Sequence, residues 1–66
     1  MPKIMTGEEL KKLREKYELT QEELAEALGT IGSRVSEWEN GRKNMRVITQ
    51  KAAKYYFMLR DAKMIN

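Results

Sequence analysis

The fold of this chain can be inferred from one segment, Leu19 to Gly41, which reads L-T-Q-E-E-L-A-E-A-L-G-T-I-G-S-R-V-S-E-W-E-N-G. Its first half has leucine and alanine side chains three and four residues apart, and its second half has Val35 and Trp38 at the same helical spacing. Gly29 stands between the halves, where a glycine can take the left-handed conformation that ends a helix sharply. The pattern predicts two short helices joined by a tight turn, which is the arrangement of a helix-turn-helix motif.

Local capping signals predict the helix boundaries. Segments 6–9 (T-G-E-E) and 20–23 (T-Q-E-E) are typical capping boxes, in which the threonine and glutamate side chains accept hydrogen bonds from free backbone amides. Thr30 is the expected N-cap of the next helix, Ile31 should extend its inward stripe, and Asn40-Gly41 is a strong stop signal. The predicted helices span about residues 6–17, 20–28, 31–40 and 45–62.

The last predicted helix contains neither glycine nor proline from about Met45 onward. Its apolar residues follow a 4-3-4-3 spacing, which predicts that one stripe faces the core. The stripe consists of Ile48, Ala52, Tyr55, Leu59 and Ala62, widened by Val47, Tyr56 and Phe57. We therefore expect one all-α domain over residues 1–66, a compact four-helix bundle, with a five-helix bundle as the alternative.

The composition excludes several classes of protein. The chain has 66 residues with no cysteine and no histidine, which excludes disulfides and removes most zinc sites and most general acid–base machinery. So short a chain does not easily enclose a substrate pocket, and we expect no enzyme, no cofactor, no metal and no small-molecule ligand. No apolar run approaches the roughly 20 residues of a membrane span, so we expect a soluble, cytoplasmic binding module.

The net charge of +3 is unevenly distributed along the chain. Residues 1–29 carry five lysines and arginines against seven glutamates, a balance of −2. Residues 30–66 carry eight lysines and arginines against three acidic residues, a balance of +5. A basic C-terminal half favours a polyanionic partner. An ordinary solvated protein surface explains this charge distribution at least as well.

The segments L-T-Q-E-E-L-A-E-A-L-G (19–29) and V-S-E-W-E-N-G (35–41) together resemble the phage-repressor/Cro-like helix-turn-helix family, also called XRE-like. The resemblance covers about residues 6–60. It implies a lambda-repressor-like domain whose third helix enters the major groove of double-stranded DNA. It further implies sequence-specific binding to an operator, usually as a homodimer on a palindrome.

The resemblance also implies roles for individual residues. The positions that face bases are Gly32, Ser33, Arg34 and Glu37. The positions that contact phosphates are Gln21, Asn40, Arg42 and Lys43. Arg14 and Glu39 correspond to a structural ion pair that ties the first helix to the end of the third.

Some of these roles have alternatives. Arg34 can donate hydrogen bonds to O6 and N7 of a guanine. An ion pair between Arg34 and a backbone phosphate is almost as good an interpretation. Glu37 can accept a hydrogen bond from cytosine, orient Arg34, or be a plain surface residue. Gly32 departs from the family pattern of a polar residue at this position, and it can let the backbone approach DNA closely. Many members of the family have a proline shortly after the W-E-N-G loop and a glycine that divides a fourth from a fifth helix. Here segment 44–46 has no proline and no glycine follows it, so we expect the fourth and fifth helices to be fused or the fifth to be missing.

Five consecutive large apolar residues, Tyr55 to Leu59, are too many for one buried helix face in so small a monomer. We expect the C-terminal helix to form a two-fold dimer interface, with Tyr56, Phe57 and Met64 as candidates. The leading function is a small transcriptional repressor of a prokaryote or a phage-infected cell. The alternatives are an antitoxin or controller in a two-gene module, and a protein–protein adaptor that has lost operator binding.

Overall fold

Four helices make up the fold in the computed structural model, which describes residues 4–62. They are α1 (Gly7–Lys16), α2 (Gln21–Leu28), α3 (Gly32–Glu39) and α4 (Val47–Asp61). No strand occurs among the described residues. The predicted all-α, four-helix class is confirmed, and α4 is one continuous helix, with no fifth helix in the described part of the chain.

The helix starts depend on side-chain caps at two of the four positions. Thr6 accepts from the amide of Glu9 at 3.1 Å while the Glu9 carboxylate accepts from the amide of Thr6, also at 3.1 Å. Thr20 and Glu23 repeat this capping box at the start of α2, with distances of 3.0 Å and 2.8 Å. These caps satisfy amides that have no partner within the helix.

The start of α3 differs from the prediction. Its N-cap is Ile31, which provides no side-chain hydrogen bond, and not Thr30. The amide of Thr30 donates to the carbonyl of Ala25 at 2.8 Å, so Thr30 belongs to the turn that closes α2. Ile31 is 63% exposed and does not extend the buried stripe of α3, because it lies in this turn ahead of the first helical residue.

The first three helices end in the same way. A left-handed residue follows α2 directly and follows α1 and α3 one position later, and in each case two amides fold back to the last carbonyls, which is a Schellman motif. Gly29 and Gly41 take the left-handed conformation after α2 and α3, each with φ of 74°. After α1 the same position is occupied by Glu18 at φ of 56°, a conformation that is costly for a residue with a β-carbon.

The core is formed by one cluster from all four helices and the segments next to them. The buried apolar residues are Met5, Leu10, Leu24, Ala25, Val35, Trp38, Met45, Ala53 and Phe57. Tyr17 stacks on Phe57 with ring centroids 5.7 Å apart, which joins the end of α1 to α4. Burial raises the pKa of the Tyr17 hydroxyl, and its hydrogen bond to Asp61 raises it further.

The face of α4 that points inward differs from the predicted stripe, of which Phe57 is buried and Tyr56 is half-buried. Gln50, Ala53 and Phe57 are buried, whereas Ile48 is 74% exposed and Tyr55 is 65% exposed. The inward orientation of Gln50 has a clear cause. Its Oε1 accepts from the amide of Met5 at 3.1 Å, and its Nε2 donates to the carbonyl of Met45 at 2.9 Å. A buried amide is stable only with such partners, so these two bonds stabilise the rotation of α4 that also buries Ala53 and Phe57.

The rotation of α4 removes one of the three dimer candidates. Phe57 is 4% exposed and belongs to the core of its own chain, so it cannot be an interface residue while the domain stays folded. Tyr56 is half-buried and packs edge-on against Phe57 at 5.3 Å between ring centroids. The third candidate, Met64, lies outside the described residues.

Candidate nucleic-acid interface

Helix α3 has one buried side and one open side. Val35 and Trp38 point into the core, and the helix packs mainly on α2 and more lightly on α1. Ser33 and Arg34 are exposed, while Ser36 and Glu37 are half-buried. The predicted base-facing side chains therefore share the open side of a short helix, which has the dimensions to enter a major groove about 12 Å wide.

The first residue of α3 has a packing role that the sequence did not predict. A β-carbon at Gly32 would lie 2.9 Å from Cγ of Glu22, at the start of α2. Such a distance is shorter than non-bonded carbon atoms tolerate, so a side chain there would push the two helices apart or displace Glu22. Gly32 lets α2 and α3 approach each other, and it brings only backbone to the predicted interface.

Three charged side chains form a cluster on the open side of α3. Arg34 Nε lies 3.4 Å from Glu37 Oε1, and Lys43 Nζ lies 4.0 Å from Glu37 Oε2. Each oxygen of the carboxylate therefore faces a different cation. The pair from Arg34 to Glu37 is one of the alternatives expected from the sequence, in which Glu37 orients Arg34. The contact with Lys43 was not predicted.

The loop after α3 holds the other predicted phosphate contacts. The amides of Arg42 and Lys43 both donate to the carbonyl of Glu37, at 2.9 Å and 3.3 Å, so the backbone of the loop is anchored on α3. The side chains of both residues remain exposed. Asn40 donates through Nδ2 to Ser36 Oγ at 3.2 Å, which uses part of its hydrogen-bonding capacity within the helix. The loop thus presents two cations on a fixed backbone.

Arg14 and Glu39 lie in contact, as the resemblance implies. Arg14 donates through Nε to Glu39 Oε2 at 2.7 Å and through Nη2 to Oε1 at 3.1 Å. Its Nη1 donates to the carbonyl of Leu19 at 2.8 Å. The hydrogen bond to the carboxylate raises the pKa of the Arg14 guanidinium, so Arg14 stays charged at every ordinary pH.

Gln21 belongs to the same network. Its Nε2 donates to Glu39 Oε1 at 3.1 Å, at the first position of α2. An amide nitrogen carries two hydrogens, so this bond orients the side chain and uses only one of them. Glu39 therefore connects the end of α3, the start of α2 and α1, and holds the two helices of the motif in a fixed relation.

Three features of the structure had weak signals or none in the sequence. Gly7 is required because a β-carbon there would collide with the carbonyl oxygen of Trp38, at the contact between α1 and α3. Gln50 is buried although glutamine is normally a surface residue. Neither role is visible in a periodicity pattern. The unusual conformation of Glu18 could have been suspected, because helix α1 must end before the next capping box and no glycine is available there.

A two-helix motif with an open, cation-bearing recognition helix defines the helix-turn-helix class of DNA-binding transcription regulators. The helix-turn-helix family model matches residues 10–53, two thirds of the chain, and this chain belongs to that family, in its XRE-like (Cro/CI-like) form. No curated protein and no solved structure gave a match. Within residues 4–62, no helix has the length and apolar character needed to cross a membrane.

Proposed function

We propose that this protein is a small transcriptional repressor that binds a palindromic operator as a homodimer, with α3 of each subunit in the major groove. The observation that carries the proposal is the open side of α3. There Ser33 and Arg34 are exposed, and the loop behind the helix presents the cations Arg42 and Lys43. A repressor of this kind would act in the cytoplasm by excluding the transcription machinery from the DNA that it covers.

Within this proposal, phosphate contacts and base contacts come from different elements. Arg42 and Lys43 sit on an anchored loop and are suited to phosphates on one side of the groove. Gln21 and the N-terminus of α2 are suited to a phosphate on the other side, because a helix N-terminus attracts anions. Arg34 is the side chain with the reach and the donor geometry to recognise guanine.

The exposed stripe of α4 supports a second copy of the chain as the dimer partner. The stripe consists of Ile48, Ala52, Tyr55, Met58, Leu59 and Ala62, and all six are exposed. It is nearly symmetric about Tyr55, since the apolar positions lie three or four and seven residues to either side. A two-fold axis through Tyr55 would pair each helix with an antiparallel copy of itself, as isologous interfaces require.

This pairing also matches large side chains with small ones. With Tyr55 on the axis, Ile48 of one subunit would face Ala62 of the other, and Ala52 would face Met58. Alternation of large and small residues lets facing helices interdigitate. The contact of one helix pair is small compared with the roughly 800 Å² that each partner buries in a standard interface, so we expect a weak dimer. DNA that binds both subunits at once would stabilise this dimer.

Fluorescence anisotropy with a random-sequence duplex, at two salt concentrations, tests the DNA-binding part of the proposal. If Arg42 and Lys43 of both subunits contact phosphates, affinity should fall about 100-fold between about 50 and 200 mM salt. Selection from a random-sequence pool should then yield two half-sites whose centres lie about 34 Å apart. Absence of binding at low salt would overturn the proposal and favour a protein-binding role.

A further inference from the structure

We propose that Glu37 is a specificity-determining residue, which directs Arg34 toward a guanine edge and away from the phosphate backbone. This inference rests on the proposed function and names a residue that controls what α3 selects. Glu37 would act through Arg34 and is therefore a positioning residue. Without such a residue, an exposed arginine on a recognition helix has phosphates as well as bases within its reach.

The geometry places Glu37 between two cations. Its Oε1 lies 3.4 Å from Arg34 Nε, and its Oε2 lies 4.0 Å from Lys43 Nζ. The backbone carbonyl of Glu37 also accepts the amides of Arg42 and Lys43 at 2.9 Å and 3.3 Å. The backbone of Glu37 is thus held by the turn that follows α3, and its carboxylate lies within ion-pair distance of both cations.

The contact through Nε determines which donors of Arg34 remain free. The guanidinium carries five N–H groups, and its two terminal Nη groups lie at the end farthest from the helix. These groups can donate in parallel to O6 and N7 of guanine. When Glu37 contacts Nε of Arg34, both Nη groups therefore remain available as the pair of donors that a guanine edge requires.

The charge of Glu37 distinguishes a guanine from a phosphate. A phosphate that binds Arg34 must come close to the neighbouring carboxylate, and two like charges at short range repel strongly where water is excluded. The edge of a guanine is neutral and meets no such repulsion. Glu37 therefore weakens the phosphate contacts of Arg34 and Lys43 more than the guanine contact of Arg34, and it lowers the affinity for DNA of unrelated sequence.

The substitution Glu37→Gln tests this inference, because it removes the charge and keeps the shape. The probes are an operator duplex from the random-sequence selection, the same duplex with the guanine of each half-site replaced, and a random-sequence duplex. We expect discrimination at that guanine to fall at least fivefold, which is the smaller end of what a bidentate arginine–guanine contact provides. We expect the affinity for the random duplex to rise about fivefold, with a salt slope steeper by about 0.9 for each new phosphate contact.

Glu26→Gln is the matched control, since Glu26 is exposed on α2 and loses the same charge. It should leave discrimination at the guanine unchanged. Circular dichroism and thermal melting of both variants separate a change in recognition from a change in folding. In an Arg34→Ala background, Glu37→Gln should no longer alter discrimination, because a positioning residue has no effect without the residue that it positions.

The outcomes separate this inference from the proposed function. If the unmodified protein binds no duplex even at low salt, the proposed function fails, and the role of Glu37 fails with it. If the protein selects an operator but Glu37→Gln leaves discrimination and salt slope unchanged, only the role of Glu37 is overturned. Equal effects of Glu37→Gln with and without Arg34 would also overturn it, because Glu37 would then contact DNA independently.

Discussion

Arg14 and Glu39, which are 25 residues apart in the chain, form a two-pronged ion pair between α1 and the end of α3, with Nε–Oε2 at 2.7 Å and Nη2–Oε1 at 3.1 Å. The side chain of Glu39 is 2% exposed and that of Arg14 is 14% exposed. Gln21 donates to the same carboxylate. One buried acidic group thus holds the two helices of the DNA-binding motif against the helix that supports them.

Arg14→Ala should be strongly destabilising, because it leaves the Glu39 carboxylate buried without its cation. Removing one partner of a buried pair costs about 3–5 kcal/mol, which is much of the stability of a small domain. Urea unfolding followed by circular dichroism measures this loss. Lys12→Ala is the control, since the exposed pair of Lys12 and Glu8 at 3.7 Å should contribute less than about 1 kcal/mol. Equal losses in the two variants would contradict the structural role of Arg14.

Gly7→Ala should destabilise the protein, although alanine is the better helix former. The added β-carbon would collide with the carbonyl oxygen of Trp38, which is a backbone atom and cannot rotate away. Overpacking of this kind costs about 1–3 kcal/mol or more. Thermal melting provides the measurement, and Lys11→Ala, at an exposed position of α1, should change the melting temperature little. An unchanged or higher melting temperature for Gly7→Ala would show that α1 and α3 do not approach so closely.

Glu18→Gly should stabilise the protein by about 0.5–1 kcal/mol. Glu18 has φ of 56°, and the relief of its left-handed backbone outweighs the greater freedom of glycine in the unfolded chain. The midpoint of urea unfolding should rise. In contrast, Glu15→Gly within α1 should lower it by about 1 kcal/mol, because glycine is a poor helix former. A lower midpoint for Glu18→Gly would mean that this residue is not left-handed in solution.

The stability of the fold should fall at acidic pH through the cap of α2. Hydrogen bonds from the backbone and side chain of Thr20 lower the pKa of the Glu23 carboxyl from its ordinary value of 4.5. A pKa that is lower in the folded state means that this stabilisation is complete above the ordinary value and is lost as pH falls through the folded value. Glu23→Gln should flatten this part of the pH profile of the melting temperature. An unchanged profile would exclude Glu23 as a source of the pH dependence.

Tyr55→Glu should abolish the proposed dimer and leave the monomer folded, because Tyr55 is exposed at the centre of the α4 stripe. Sedimentation at micromolar concentration, with and without operator DNA, measures the assembly. Lys11→Glu adds a carboxylate to the exposed surface of α1 and should leave the assembly unchanged. By contrast, Phe57→Ala should cost about 3–5 kcal/mol of stability, since Phe57 is a core residue. A protein that is strictly monomeric on DNA before any substitution would exclude the dimer.

Local patterns in the sequence are sufficient to predict the helices and the motif that they form. The capping boxes at Thr6 and Thr20 and the left-handed Gly29 and Gly41 are made by residues a few positions apart, so their hydrogen bonds can be inferred without knowledge of the rest of the fold. The inward positions of Val35 and Trp38 were equally clear, because polar residues surround them and only one face of α3 is apolar.

The side of α4 that is buried depends on packing between residues far apart in the chain. That helix is apolar on several sides, from Ala52-Ala53 to the run Tyr55–Leu59, so periodicity permits more than one rotation. The observed rotation buries Ala53 and Phe57, and it is stabilised by the hydrogen bond from the amide of Met5 to Gln50, 45 residues away in the chain. The close contact of Gly7 with Trp38 depends in the same way on distant backbone. Contacts of this kind involve groups that meet only after the helices have packed, and no local pattern in the sequence encodes them.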